Sequence, residues 1–304
     1  MAQENSRGVP QITILSSPDW EDYELLDSGG GQKLERYGPY RFIRPEPEAV
    51  WAPALPESVW SAADASFRSS SEEMGGHWDF QRKLKPRWGM QYKGMHFWAQ
   101  TTASRHLGVF PEQASQWDWI QQQVHNAKRP PSVLNLFGYT GLASIAAAQA
   151  GARVTHVDAS RKVVSWAHEN LQATGLDESL VRWIVDDAVK FVKREGRRGT
   201  RYDGIILDPP KFGRGPKGEV WEFYKLLPDL LDACRQVLSQ RPLFLVLTAY
   251  AVKASSVTLH QAVQEMMAAH GGTTSAGEVA LVEKSAGRVL SMAIFARWSA
   301  ESPK

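Results

Sequence analysis

The 304-residue chain contains one cysteine, Cys234, no long apolar run and no marked excess of either charge. A single thiol excludes an internal disulfide and a cysteine-rich metal site. The longest apolar stretch, residues 243–252, is well short of the about 20 residues that cross a bilayer, and the first residues have no apolar signal core. A net charge of +2 excludes a histone-like polyelectrolyte binder. These absences predict a soluble, cytoplasmic protein.

Tryptophan, by contrast, is abundant: there are 12, and eight of them precede residue 120. Proline and glycine interrupt the same part of the chain, and short aromatic-rich runs at 40–43 and 95–98 are typical of strands. We therefore predict a small β-rich domain for substrate recognition over residues 20–100. A flexible N-terminus, residues 1–19, would precede it, and a second domain, residues 101–304, would follow.

From residue 132 onward, strand and helix patterns alternate. The predicted strands are 133–137, 153–157, 181–185, 203–207 and 243–247, and the predicted helices are 142–150, 161–173, 189–195, 220–238 and 257–269. Helical crossovers predict a parallel sheet with helices on both faces. Two final strands, 275–282 and 289–298, have no helix between them and should form an antiparallel hairpin. The fold class is therefore α/β and Rossmann-like.

A glycine-containing loop, Phe137-Gly138-Tyr139-Thr140-Gly141, follows the first of these strands. Its glycines let the backbone turn sharply and approach a ligand, although a tight strand-to-helix turn explains them equally well. A dinucleotide site normally has G-x-G-x-x-G, and here Leu136 replaces the first glycine. The bulky Phe137 and Tyr139 suit a cofactor without phosphates, which favours S-adenosylmethionine over NAD.

Carboxylates end the next two strands. Asp158 lies 20 residues after Gly138, a spacing that suits a carboxylate on the two hydroxyls of a ribose. Asp187 is the preferred partner for an adenine amine, because Ala188 begins the next helix. Both aspartates are also open to interpretation as helix N-caps, a role that Ser160 could equally fill after Asp158.

The stretch Asp208-Pro209-Pro210-Lys211-Phe212 ends the fourth strand, at the edge of the sheet where open α/β folds bind ligands. The two prolines stiffen the turn and expose carbonyl acceptors, and Asp208 adds a carboxylate. Phe212 offers a ring on which a base can stack, and Lys211 offers a cation. This combination predicts a pocket for a flat ring that bears an amino group, although a plain Pro-Pro strand terminator is the simpler alternative.

The combined motifs resemble class I S-adenosylmethionine-dependent methyltransferases. The resemblance is closest to the 23S ribosomal RNA large-subunit group, which includes cytosine-C5 and guanine-N7 enzymes. It rests on residues 134–141, Val157-Asp158-Ala159-Ser160, Asp187, residues 208–212 and the segment 106–113. The resemblance implies a seven-stranded sheet whose last strand is antiparallel. It also implies that loop 137–141 binds the methionine end of the cofactor, Asp158 the ribose and Asp187 the adenine, with residues 208–212 at the methyl group and the target.

One departure from that family concerns chemistry. Methylation at cytosine C5 needs a cysteine thiolate that adds to the ring. In the C5 enzymes that cysteine follows the fifth strand, where this chain has Leu247-Thr248-Ala249-Tyr250. Cys234 lies within the predicted helix 220–238 and is interpreted as buried and inert. A nitrogen target, which needs no covalent adduct, is therefore favoured.

Cations interleaved with aromatic residues suggest an RNA surface, because residues 80–111 contain no Asp or Glu. The candidate substrate-binding residues are Arg87, Trp88, Lys93, Arg214, Tyr224 and Tyr250. Ordinary packing or solvated edges would explain the same residues. No set of histidines has metal-ligand spacing, so no metal is expected.

The sequence therefore predicts an S-adenosylmethionine-dependent methyltransferase that acts on RNA, with ribosomal RNA preferred. Methylation of a small molecule or a protein is the nearest alternative. An NAD-dependent oxidoreductase is disfavoured by the missing glycine and the terminal hairpin. A catalytically silent RNA-binding module is disfavoured by the intact motif at residues 208–212.

Overall fold

The computed structural model describes residues 10–16, 20–70 and 75–300. Within these ranges the strands are β1 Ile12–Ser16, β2 Tyr23–Gly29, β3 Gln32–Tyr37, β4 Tyr40–Pro45, β5 Ala65–Ser69, β6 Gly76–Phe80, β7 Trp88–Tyr92, β8 Met95–Ala99, β9 Ser132–Leu136, β10 Arg153–Asp158, β11 Val181–Val185, β12 Gly204–Leu207, β13 Phe212–Arg214, β14 Val220–Glu222, β15 Phe244–Ala249, β16 Thr273–Val282 and β17 Val289–Ser299. The α-helices are α1 Glu57–Trp60, α2 Ala114–His125, α3 Leu142–Gln149, α4 Arg161–Thr174, α5 Ala188–Arg197, α6 Phe223–Val237 and α7 Ser256–Met267.

The large sheet has the strand order β1-β16-β17-β15-β12-β9-β10-β11. Strands β15, β12, β9, β10 and β11 are parallel, and β17 runs antiparallel to both of its neighbours. The central strands are continuous buried apolar runs, as expected for a sheet covered by helices on both faces. The predicted α/β fold with a terminal antiparallel hairpin is confirmed.

The described sheet has eight strands, whereas the family resemblance implied seven. The additional strand is β1, which pairs in parallel with β16 and lies within a segment predicted to be flexible. A Cβ atom on Gly277 would lie 1.7 Å from the Thr13 carbonyl oxygen, so the missing side chain permits this close approach. Residues 1–9 and 17–19 of the predicted flexible N-terminus lie outside the described ranges.

The helix predicted over residues 220–238 begins only at Phe223. Val220–Glu222 is instead strand β14, paired antiparallel with β13 immediately after the Asp208 motif. The helix pattern extended too far because residues 220–222 pair with strand β13 instead of adding a further helical turn. The resulting β13–β14 hairpin holds Phe212 beside the sheet edge where Asp208 lies.

The predicted β-rich region consists of the five-stranded sheet β2-β3-β4-β5-β6 and the hairpin β7–β8. Asn170 on α4 accepts the backbone N–H of Trp98 through its side-chain oxygen at 2.9 Å. Trp20 and Phe97 share one buried cluster with Ile145 of α3. Packing is therefore continuous across residue 100, and the domain boundary placed there stays a prediction. In the part of the chain described here, no helix is both long and apolar enough to span a bilayer.

Candidate functional site

The carboxyl ends of β9, β10 and β12 meet at one edge of the sheet. The Gly138 N–H donates to the Val157 carbonyl at 3.0 Å, and the Asp208 N–H donates to the Leu136 carbonyl at 3.4 Å. These bonds bring the glycine loop, Asp158 and the Asp208 motif together, although they are far apart in sequence. Such an edge is the usual ligand-binding position in open α/β sheets.

The loop between β9 and α3 carries two non-glycine residues in the left-handed region. Phe137 has φ 57° and Tyr139 has φ 49°. Each such residue costs about 1–3 kcal/mol, so the surrounding structure must hold it. The Tyr139 N–H donates to Asp158 Oδ2 at 3.0 Å, and the Thr140 hydroxyl donates to the Gly108 carbonyl at 2.6 Å. The loop keeps an unfavourable backbone conformation, and these hydrogen bonds hold it in place. Strain of this kind favours a ligand-binding role for the loop.

Gly138 is required by packing beneath the loop. A Cβ atom there would lie 2.4 Å from the ring of His156. That ring is buried and lies 3.0 Å from the Ser144 hydroxyl through Nδ1. Burial lowers the pKa of His156 to about 3, so the ring is neutral at physiological pH. The glycine therefore allows the loop backbone to lie close to a neutral, buried ring. This requirement for glycine at position 138 cannot be seen in the sequence.

The carboxylate of Asp158 is held by backbone donors at both oxygens, Tyr139 N–H at Oδ2 and Ser160 N–H at Oδ1, 2.9 Å. Burial raises the pKa of Asp158, and these N–H groups oppose the shift. Ser160, and not Asp158, caps α4 through the Val163 N–H. A carboxylate accepts at about four lone-pair positions, so after the backbone donors of Tyr139, Ala159 and Ser160 it retains capacity for a ribose hydroxyl.

Asp187 caps helix α5 by accepting the Lys190 N–H at 2.9 Å, and Ala188 behind it is buried. The neighbouring Asp186 pairs with Arg194 at 2.7 Å. The helix-cap interpretation of Asp187 is thus confirmed. Contact with an adenine amine remains a prediction for this residue.

A cleft that is partly open to solvent lies between the glycine loop, helix α2 and the ends of β12 and β15. Its lining residues are Val109, Phe110, Gln113, Gln116, Trp117, Ile120, Asn135, Phe137, Gly138, Tyr139, Thr140, Leu142, Ala143, Ile206, Leu207, Asp208, Val246 and Thr248. Residues 137–140 and Asp208, predicted separately from the sequence, therefore face one cavity. Helix α2 was missed by the sequence analysis.

Asp208 is the most perturbed carboxyl group at this cleft. Burial, followed by repulsion from the Glu112 carboxylate, raises the pKa of Asp208 to about 8. Its Oδ2 accepts the Gln113 amide at 3.3 Å, and its Oδ1 is buried with no hydrogen-bond partner among the described residues. The same Gln113 nitrogen donates to the Tyr250 hydroxyl at 3.0 Å. A buried acceptor without a partner is a natural position for a donor group of a ligand.

Glu112 and Gln113 had no assigned role in the sequence analysis, although both lie in a segment that carried the family resemblance. Glu112 is 3% exposed, and burial raises its pKa. In the sequence, Glu112 and Gln113 are two polar residues that follow an apolar run. Nothing in the local sequence shows that they lie next to Asp208 in the fold. That contact arises from folding across 95 residues.

Backbone carbonyls of the proline turn form hydrogen bonds within the protein. The Pro210 carbonyl accepts the Trp221 indole N–H at 2.6 Å, and the Lys211 carbonyl accepts the Phe223 N–H at 3.0 Å. The proline turn was expected to expose carbonyl acceptors, but the Pro210 carbonyl is used, together with that of Lys211, to hold the β13–β14 hairpin. Pro209 is buried, and Lys211 is exposed.

Trp88 requires a correction among the predicted substrate-binding residues. Its side chain is 4% exposed and stacks on Phe42, with ring centroids 5.7 Å apart. A ring enclosed in the core cannot stack on a base, so Trp88 has a packing role. The adjacent Arg87 pairs with Glu169 at 2.5 Å, and Lys93 pairs with Asp118 at 2.8 Å.

The other three predicted substrate-binding residues are Arg214, Tyr224 and Tyr250, which are exposed or lie near the Asp208 motif. The ring of Tyr250 lies 5.2 Å from that of Phe110, which lines the cleft. Phe212 and Tyr224 are about half exposed, at 49% and 56%. The Arg214 guanidinium lies 6.0 Å from the Phe212 ring centroid. Phe212, Arg214 and Tyr224 do not line the cleft itself, so contact with substrate remains a prediction for them.

Comparison with known proteins decides the family. A family model described as S-adenosylmethionine-dependent methyltransferase matches residues 67–262. The chain belongs to this methyltransferase family. A solved S-adenosylmethionine-dependent methyltransferase from Agrobacterium tumefaciens is 48% identical, with a TM-score of 0.90 over 95% of this chain and 94% of that one. The protein SMU.776, solved as a complex with SAH, is 19% identical with a TM-score of 0.68 over 88% of this chain and 72% of that one, a likeness of fold alone.

The curated relatives of this methyltransferase include enzymes that are named as methyltransferases of ribosomal RNA. Ribosomal RNA large subunit methyltransferase I of Aeromonas salmonicida is 37% identical over 76% of this chain. Ribosomal RNA large subunit methyltransferase K of Neisseria meningitidis is 23% identical over 68% of it. The chain spans 52% and 59% of the lengths of these two relatives.

The cofactor of the family is S-adenosylmethionine, and the residues present fit it. The remaining acceptor capacity of Asp158 suits a ribose hydroxyl, and residues 137–140, of which Tyr139 donates to Asp158, line a partly apolar cleft. Asp208 offers a buried acceptor at the same cavity. When bound, the cofactor supplies an electrophilic methyl group.

Proposed function

We propose that this methyltransferase modifies a base of ribosomal RNA in the cytoplasm, at a nitrogen rather than at cytosine C5. The observation that carries the choice of atom is the position of the only thiol. Cys234 is completely buried within helix α6, and burial raises its pKa. A buried thiol that resists ionisation does not serve as the nucleophile of a C5 reaction.

The choice of RNA is supported by the names of the ribosomal relatives and by the surface next to Asp208. The β13–β14 hairpin presents Phe212 with Arg214 above its ring, and Tyr224 lies just beyond on α6. Exposed aromatic rings beside cations are suited to unstacked bases and the RNA backbone. These features favour an RNA base over a small molecule.

For a nitrogen target, the side chains around Asp208 supply the chemistry that the protein must provide. Gln113 holds one oxygen of Asp208, which leaves Oδ1 to accept a hydrogen bond from an amino group. Methyl transfer to that nitrogen would break the methyl–sulfur bond of the cofactor and leave S-adenosylhomocysteine, and the ionised Asp208 carboxylate would accept the proton that the amino group loses. A proton acceptor with a pKa near the working pH suits this role.

Mass spectrometry of ribosomal RNA nucleosides from a deletion strain tests the proposal. We expect one N-methylated base to disappear and to return with the wild-type protein but not with Asp208→Ala. Loss of 5-methylcytidine would refute the nitrogen target, and an unchanged nucleoside profile would refute ribosomal RNA as the substrate. Purified Asp208→Ala should retain cofactor affinity within a few-fold, because the ribose site is intact.

A further inference from the structure

Arg297 is a buried cation without a carboxylate partner. Its residue is 7% exposed, and among the described residues no Asp or Glu oxygen lies within the 4.0 Å of an ion pair. Asp118, which influences it electrostatically, pairs with Lys93 instead. Burial lowers the pKa of Arg297 to about 9, while the rings of Trp119 and Phe295 lie 4.9 and 5.1 Å away. A buried charge of this kind is stabilised by a nearby anion.

Gln116 connects this cation to the cofactor cleft. Arg297 Nε donates to Gln116 Oε1 at 2.5 Å, and the Arg297 Nη2 donates to the Ser115 carbonyl at 2.8 Å. Because a guanidinium has donors only, the Gln116 atom that faces Arg297 must be its oxygen. The orientation of the amide is therefore determined, and Nε2 is directed elsewhere.

The amide nitrogen of Gln116 is buried and has no hydrogen-bond partner among the described residues. The residue is 1% exposed and lines the same cleft as Gly138 and Thr140. An unsatisfied buried donor, polarised by a guanidinium on its oxygen, is suited to an anionic acceptor. The cleft thus has an acceptor at Asp208 and a donor with positive potential at Gln116.

We propose that Gln116 is a cofactor-binding residue that donates its amide to the carboxylate of the methionine portion of S-adenosylmethionine, with Arg297 as the positioning residue. That carboxylate is the only anionic group of the cofactor. Its negative charge would compensate the buried guanidinium through one intervening amide. The proposal depends on the cofactor of the family and not on the RNA substrate.

Two ligands separate the carboxylate from the rest of the cofactor: S-adenosylmethionine and its decarboxylated form. Isothermal titration calorimetry of the full chain without RNA should show that Gln116→Leu weakens S-adenosylmethionine binding about tenfold or more. Binding of the decarboxylated form should change by less than twofold. Gln122→Leu, an exposed position on the same helix, is the matched control and should alter neither affinity.

Gln116→Glu provides a second variant that keeps an acceptor for Arg297 and therefore preserves its packing. Its carboxylate should pair with Arg297 and repel the cofactor carboxylate. We expect S-adenosylmethionine affinity to fall about 100-fold, with the decarboxylated form unaffected or bound more tightly. Thermal unfolding without ligand verifies that each variant is folded.

Equal weakening of both ligands by Gln116→Leu would overturn the proposal, and so would unchanged binding of both. An effect on RNA affinity with unchanged cofactor affinity would also overturn it, because the anion would then be an RNA phosphate. A failure to methylate RNA would refute the proposed function and leave these binding results unaffected.

Discussion

Gln113 donates its side-chain amide to the carboxylate of Asp208 at 3.3 Å, across 95 residues of sequence. The contact leaves one Asp208 oxygen buried without a partner among the residues that the structure describes, and Glu112 beside it raises the cost of ionising the carboxyl group. The carboxyl group that faces the cleft therefore keeps its proton to a higher pH than an ordinary aspartate does, and it ionises near pH 8. This relationship makes both the stability and the chemistry of the site dependent on pH.

The stability of the free protein should depend on pH through Asp208. Its pKa is about 8 in the folded state, above the ordinary value of 3.8, so the folded state retains a proton that the unfolded state releases. This contribution is complete below about pH 4 and is lost as pH rises towards about 8, by at most about 1.4 kcal/mol per pH unit. Asp208→Asn imitates the neutral form and should gain stability relative to wild type over that range.

Urea denaturation of both proteins at about pH 5 and about pH 7.5 measures the effect. The other titrating groups cancel in the difference between the two proteins. A difference in unfolding free energy that does not change with pH would contradict the raised pKa of Asp208.

Removal of the Asp158 carboxylate should weaken cofactor binding at least about tenfold. The substitution Asp158→Ala removes the acceptor of the Tyr139 N–H and the proposed acceptor of the ribose hydroxyls. Asp177→Ala is the matched control, because Asp177 also accepts a backbone N–H but its residue is exposed. Calorimetry that finds the same affinity for both variants would exclude the ribose role.

A methyl group added at Gly138 should destabilise the loop. The substitution Gly138→Ala would place a Cβ atom 2.4 Å from the His156 ring, and overpacking of this kind costs about 1–3 kcal/mol. Gly89→Ala is the control, because no atom lies within 4 Å of its added Cβ. Chemical denaturation should give a lower free energy of unfolding for Gly138→Ala than for Gly89→Ala, and cofactor titration should show weaker binding only for Gly138→Ala. Equal stability of the two variants would show that the loop has room for the methyl group.

The thiol of Cys234 should be dispensable for methylation. Cys234→Ala should keep the turnover number within about twofold and lose stability on the order of 1 kcal/mol, because it leaves a small cavity in the core. Methyl transfer to ribosomal RNA, followed with a labelled methyl group, measures the first quantity. Loss of activity in a folded variant would favour a thiolate mechanism.

The exposed ring of Phe212 should contribute to substrate binding. Phe212→Ala should raise the KM for RNA about tenfold, since stacking of a base on an aromatic ring is worth about 1–3 kcal/mol. Val220→Ala, on the neighbouring strand of the same hairpin and similarly exposed, should have little effect. An unchanged KM in Phe212→Ala would remove the ring from the substrate surface.

Much of the catalytic region could be read from local sequence. Strand β11 was predicted with its observed bounds, and the starts of α3 and α4 were also correct. The glycine loop contacts Asp158 through the Tyr139 N–H and lines one cleft with Asp208, because the carboxyl ends of parallel strands share one edge. Local patterns were sufficient here because hydrophobic period and turn residues act over a few neighbours.

Other features were decided only by tertiary structure. Strand β1 gains its hydrogen bonds from β16, more than 250 residues away, and Val220–Glu222 becomes a strand because β13 pairs with it. Trp88 and Phe212 both lie in stretches that mix polar and apolar residues. Trp88 is nevertheless buried, whereas Phe212 is about half exposed. The link from Arg297 to Gln116 likewise joins the last strand to α2.

The sequence by itself determined the α/β class, the family and the motifs at the strand ends, because each depends on residues close together in the chain. Tertiary structure alone decided which polar atoms were buried without partners and which rings reached the surface. Burial depends on the neighbours that distant segments supply, and those segments are chosen by long-range strand pairing and packing rather than by local pattern.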